Sequence, residues 1–152
     1  MVFLHFRVGR DRYVLDAKQV VAVIPLVDIK GIPQTPAALA GVISCRGSIV
    51  PVIDLCRLMI DRPAARSLST RIVLVSYADR RGDERVLGLI AEQVCETVQR
   101  DETDFVKSGV DNTGAPYLGP VAEDARGLLQ RVQVQSLLSD ELRDLLFPEG
   151  IC

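Results

Sequence analysis

Apolar and polar positions alternate from the first residues. Val2, Leu4, Phe6 and Val8 interleave with Phe3, His5 and Arg7, the two-residue period of a strand, and the polar Gly9-Arg10-Asp11-Arg12 turns into Tyr13-Val14-Leu15. On this pattern His5 falls opposite the apolar set, where a solvated or partly packed imidazole is expected. Asp16-Ala17-Lys18-Gln19 reads as a capping box opening one helical turn, after which Val20-Val21-Ala22-Val23-Ile24 continues as a strand ended by Pro25. Thr35-Pro36-Ala37-Ala38-Leu39-Ala40-Gly41 carries an N-cap, a first-turn proline and a terminal glycine, which predicts a compact helix.

The strongest local signal follows. Two β-branched runs, Gly41-Val42-Ile43-Ser44-Cys45 and Ser48-Ile49-Val50-Pro51-Val52-Ile53-Asp54-Leu55, flank Arg46-Gly47, which predicts a tight hairpin. Asp54 is placed to cap a short helix over 55–58, and Pro51, without an N–H, belongs at an edge, a bulge or a strand start. The weakly patterned residues 60–69 read as a mobile surface connection, the crossing between two lobes.

Farther on, Arg71–Tyr77 is nearly continuous in apolar residues, 78–84 is a charged hairpin loop, and 85–90 returns as a strand, with Val94-Cys95-Glu96-Thr97-Val98 as the next one. Residues 108–116 are rich in turn formers, and 117–132 predict a last hairpin. A helical segment starting at Ser136 presents Leu138, Leu142, Leu145 and Leu146 on one face and is stopped by Pro148-Glu149-Gly150. Short, evenly spaced strands with few helices predict a mainly β protein built of small barrels. At 152 residues the chain suits a single domain, 1–152, as one unit or as two small lobes sharing a core.

Composition narrows the function. Apolar residues at 48% and charged residues at 25% are ordinary for a globular domain. A net charge of -2, with arginines spread along the chain, argues against nucleic acid or anionic membrane as partner. The N-terminus has no signal-peptide pattern and no apolar run reaches membrane-spanning length, so the expected location is cytoplasmic, without membrane insertion. Four scattered cysteines and one histidine do not make a zinc pattern, so no metal or cofactor is expected, and Cys45 reads as a small core hydrophobe. None of the phosphate-cradling, dinucleotide, nucleophile-elbow or zincin motifs occurs, and the lone imidazole removes most acid/base constellations. The acidic pairs Asp101/Asp104 and Glu123/Asp124 read as solvated turn charges. The reading is therefore not an enzyme.

Arg46-Gly47 followed by Val50-Pro51-Val52-Ile53-Asp54-Leu55 resembles the signature of CheW-like coupling domains, with Ser44 and Cys45 where Asn and Leu are usual. Gly88, Leu89 and Val94 fit a second family segment in which Ala91-Glu92 replaces Val-Asp, and the likeness spans roughly residues 2 to 138. The resemblance implies two intertwined five-stranded SH3-like barrels with a groove between them. It also implies an adaptor that takes the cytoplasmic tip of a methyl-accepting receptor and docks the regulatory domain of a CheA-type histidine kinase, recruited to membrane receptor arrays. It places Val20, Val23 and Ile24 along the groove, Arg46 at its turn, and Gly88, Leu89 and Val94 on the second lobe; Val20 and Val23 serve equally well as plain core. Ala22 stands where the family has a glutamate that pairs with the arginine matching Arg46. The run from Arg66 to Arg71 and the ending Leu145 to Gly150 look like adaptors of surface-sensing Wsp-type clusters, whose kinase feeds a diguanylate cyclase. The competing class is an OB- or SH3-like barrel for single-stranded nucleic acid, disfavoured by the absence of Trp and only 5% aromatic residues.

Overall fold

A computed structural model describes residues 1–148, with the side chain of Cys95 left undescribed. Among the described residues nine strands run in the order β1 (Val2–Val8), β2 (Asp11–Asp16), β3 (Val20–Pro25), β4 (Leu39–Cys45), β5 (Ser48–Asp54), β6 (Arg71–Ala78), β7 (Glu84–Gln99), β8 (Leu118–Asp124) and β9 (Gly127–Val132). Two short helices, α1 (Leu55–Ile60) and α2 (Asp140–Leu146), accompany them. The protein is mainly β, with the SH3-like character expected.

The predicted hairpin is β4–β5. Arg46 (φ 52°) and Gly47 (φ 80°) are both left-handed, the twist-matched geometry of a two-residue turn. Asp54 caps α1 by accepting from the Cys56 N–H at 2.9 Å, and Asp16 caps the 3-10 turn over Ala17–Gln19 through Lys18 N–H.

One strand organises the whole. β7 pairs with β6 and, in parallel, with β5 through its first half, and with β1 through its second. Between the halves Gln93 adopts φ 48°, and a two-residue step on β1, His5 to Arg7, is matched by a four-residue step on β7, Glu96 to Glu92. Such a bulge bends a strand and increases its twist, so β7 leaves one barrel and enters the other without stopping. The residues expected as two strands, 85–90 and 94–98, are therefore one. Each barrel has five strands: β3, β4, β5, β6 and the first half of β7 in one; β1, β2, β8, β9 and the second half of β7 in the other, closed by the parallel pairing of β2 with β9.

Three cores result. Ile43, Val50, Val52, Ile72, Leu74 and Ile90 fill one barrel, and Phe3, Val14, Phe105, Ala122 and Leu129 fill the other. The largest lies between them and draws on both, including Leu4, Phe6 and Leu15 from one side and Ile53, Val73, Val75 and Leu89 from the other. Apolar burial of this extent at the seam makes the barrels one cooperative unit.

Several expectations are corrected. Residues 35–38 are turns, not a helix: Thr35 donates its hydroxyl to the Ile32 carbonyl, and β4 begins at Leu39, whose pairing with Ile53 outcompetes a single isolated helical turn. The 61–70 connection does not cross between lobes, because β5 and β6 lie in the same barrel; the passages are made by β7 and by the 3-10 turn between β2 and β3. His5 is not solvated but 3% exposed, because β1 is covered on both faces; its Nε2 accepts from Arg12 Nε at 3.1 Å. Burial first, and the Arg12 charge second, lower its pKa and keep it neutral. Arg12 in turn donates through both terminal nitrogens to Asp124 at 2.8 and 2.7 Å, and Asp124 is thereby held well below the usual carboxylate range. The last helix begins at Asp140, capped by Ser139, rather than at Ser136, and Leu145 points largely to solvent; the expected stop falls partly on Glu149 and Gly150, outside the described residues.

Gly41 is where two backbones meet. A Cβ built there would lie 2.1 Å from the Lys30 carbonyl oxygen, on a residue with φ 144°. Gly41→Ala is expected to destabilise the fold by about 3 kcal/mol or more, since rigid backbone must shift. A denaturant titration checks this; an unchanged midpoint would contradict the crossing.

Candidate functional site

Two recesses on the surface carry the residues singled out from the sequence, and they are distinct. The first, about 410 Å³, lies where the barrels meet and is lined by Leu4 from β1, Val23 from β3, Arg71 from β6, and Val94, Glu96 and Thr97 from β7 beyond its bulge. Apolar floor comes from both barrels, and Arg71 and Glu96 provide its charged rim. Val23 is half-buried and packs against the central core, as does Val20.

The second recess, about 390 Å³, sits on the outer face of one barrel. It is lined by exposed apolar residues Val21, Ile49 and Val86, with Cys45, Arg46 and Phe147 beside them. Ile49 is 69% exposed, a large investment of apolar surface in water. Phe147 stacks on Tyr77 at 5.7 Å, and Arg85 stands over the same ring at 5.8 Å. Among the described residues Arg46 has no hydrogen bond or ion pair, so with Ala22 in place of a carboxylate its guanidinium is left to solvent or to a partner.

The sequence-predicted set thus divides. Val23 and Val94 share the first recess, with Val20 supporting it from the core. Arg46 lines the second. Ile24 and Gly88 face the interior of a barrel instead: Ile24 packs on Ile72 and its neighbours, and a Cβ on Gly88 would stand 3.0 Å from Val52 Cγ2 and 3.2 Å from Ile72 Cγ2. Leu89 is fully buried in the central core. Gly88 and Leu89 shape the surface from beneath, and Ile24 is partly buried against the barrel core, outside both recesses.

Sequence reasoning noted Glu92 only as a replacement for the family's Asp and missed its role as a buried anchor. Only 7% exposed, it accepts from the Gly9 N–H at 3.0 Å and the Ala65 N–H at 2.8 Å, and from Arg62 at 3.3 and 3.4 Å. It thereby ties the β1–β2 turn and the 61–70 connection to β7, one residue before the bulge and two before Val94. Burial alone would raise its pKa, but the Ala65 N–H, Arg62 and the Gly9 N–H outweigh it and hold the carboxyl below its ordinary range. The visible signal was a lone glutamate in an apolar run, Ile90-Ala91-Glu92, where a charge needs internal partners. Beside it the fully buried Cys56 thiol is pushed up to about 12, mainly by burial, and is chemically quiet. No group of three or more His, Cys, Asp or Glu among the described residues is placed to hold a metal ion.

The sequence model described as CheW-like domain matches residues 2–142. "Chemotaxis protein CheW" of Klebsiella aerogenes is 27% identical over 145 residues, covering 91% of this chain and 82% of that protein. The Treponema pallidum protein of the same name is 22% identical over 138 residues, covering 90% and 81%. Among solved structures, the scaffolding protein TtCheW from Thermoanaerobacter tengcongensis superposes with a TM-score of 0.82 at 26% identity, covering 95% of this chain and 92% of that one.

Because the pKa of Glu92 is depressed on folding, the unfolded chain takes up the proton first. Its stabilisation is present above the ordinary value of 4.5 and is lost as pH falls through and below it. Glu92→Gln is expected to cost about 1–3 kcal/mol at pH 7, with the gap to the unaltered chain narrowing toward pH 3. Thermal melts across that range test it; a gap that does not depend on pH would contradict the assignment.

Proposed function

The chain belongs to the CheW-like domain family, a family of chemotaxis scaffolds, and from that premise we propose that it is a non-enzymatic adaptor coupling a methyl-accepting receptor to a CheA-type histidine kinase. The observation that carries the reading is the recess at the seam of the barrels. Half-buried Val23 offers apolar surface over a floor of buried Leu4 and Val94, with Arg71 and Glu96 at the edge, a trough suited to one face of the helical hairpin at the receptor's cytoplasmic tip. The separate recess around Val21, Arg46, Ile49 and Val86 is proposed for the kinase's regulatory domain. Two recesses that share no lining residue support simultaneous occupancy, which a scaffold requires.

Mechanism here is geometric. A body made rigid by a core shared between its barrels transmits the relative position of its two partners with little loss. Receptor rearrangements then change the kinase's active population to the extent that contacts differ between the two states. Such an adaptor works in the cytoplasm, held at receptor arrays by its partners. We assign it further to a Wsp-type surface-sensing pathway, in which the kinase feeds a diguanylate cyclase; the 66–71 run and the ending from Leu145 support this by likeness alone. Six of the seven aromatic side chains are buried and the seventh, Phe147, is stacked on Tyr77, so bases would find no stacking platform, which favours the adaptor over the nucleic-acid reading.

Val23→Asp is expected to weaken binding of a receptor-tip hairpin at least tenfold while leaving kinase-domain binding intact, and Arg46→Glu to do the reverse. Pull-down and titration calorimetry with the two partners read this out. Unaltered binding of both partners by both variants would remove the site assignment, and a native chain that binds neither partner would remove the function.

A further inference from the structure

The connection between α1 and β6, expected to be loose, is strapped down. Asp54 Oδ2 accepts from Ala64 N–H at 3.0 Å and Glu92 from Ala65 N–H, while the Thr70 hydroxyl donates to the Ala65 carbonyl at 2.6 Å. Thr70 N–H closes a turn onto the Ser67 carbonyl at 3.1 Å, and the Ser69 carbonyl accepts from Val94 N–H at 2.9 Å. At the tip of this turn stands Leu68, 99% exposed. Two largely buried carboxylates and a set of backbone bonds thus fix a turn whose single large apolar side chain touches nothing in its own chain.

Fixing an exposed leucine does nothing for the fold, since no apolar area leaves water. It does remove the ordering cost that a binding partner would otherwise meet. Flanking charges indicate what that partner carries. Arg66 and Arg71 bracket the turn, and among the described residues neither has an ion pair or side-chain hydrogen bond. The location indicates which partner it is: Arg71 lines the seam recess, and Ser69 is bonded directly to Val94 of that recess.

We propose that Leu68 is a second, preorganised receptor anchor. It inserts into an apolar notch between the two helices of the receptor hairpin, rimmed by carboxylates that meet Arg66 and Arg71, while the seam recess holds the hairpin's apolar strip. Grooves between side-chain ridges on paired helices are of a size to take one leucine. The inference rests on the receptor-adaptor reading of the seam.

The test uses the full chain and a soluble hairpin fragment carrying the signalling tip of a methyl-accepting receptor from the same organism. Leu68→Ala is expected to weaken binding about tenfold, the loss for one leucine no longer buried, with an unchanged melting temperature. Arg66→Glu combined with Arg71→Glu is expected to slow association and flatten its salt dependence. If Leu68→Ala binds within twofold of the unaltered chain while Val23→Asp loses binding, the anchor is overturned and the seam reading stands. If neither variant alters binding, both fall. If Leu68→Ala leaves receptor binding intact but abolishes self-association in sedimentation, the leucine serves a second copy of the chain and the proposal is overturned.

Discussion

A strand shared by two barrels cannot be stabilised by either alone. β7 owes its first half to β5 and β6 and its second to β1, and the apolar side chains between the barrels come from both. The seam recess exists because the bulge at Gln93 re-aims β7 at the point where the barrels meet, putting Val94 beside Leu4 and Val23. A flat, unbroken strand would have continued one sheet and left no trough.

Burial of charge follows the same logic. Where β7 bends, the β1–β2 turn and the 61–70 connection bring unpaired backbone N–H groups close together, and Glu92 satisfies those of Gly9 and Ala65 at once. A carboxylate almost removed from water is tolerable only with such partners. Arg12 and Asp124 play a comparable part in the other barrel, with His5 as a neutral acceptor and Arg100 as a second donor at 3.0 Å. The family's scaffolding role asks for a rigid body, and these polar clusters hold in register the loops that apolar packing cannot reach.

Much of this was legible in the chain. The β4–β5 hairpin, the Asp54 cap and most strands declared themselves through period-two alternation and turn chemistry, which are local. What escaped reading was set by distant partners. Thr35–Gly41 has helix-terminus chemistry, yet Leu39 pairs with Ile53 and Gly41 is needed where Lys30 crosses. His5 looked solvent-facing because one strand's alternation cannot reveal that a second barrel core covers the other side. The disposition of the candidate residues was legible only in part for the same reason: Val23 and Val94 line one recess while Gly88 and Leu89 turn inward, a distinction that depends on the pairing register and the bulge rather than on residue type.

The parallel pairing of β2 with β9 joins Arg12 to Leu129 and Tyr13 to Gln130, residues far apart in the order of synthesis. While the ribosome is still adding the middle of the protein, the outer edge of β2 has no neighbour, and bare strand edges invite pairing with other chains. That barrel therefore closes only after β9 has emerged from the exit tunnel. The nascent chain has a window in which its first hairpin needs shielding, by a chaperone or by fast elongation.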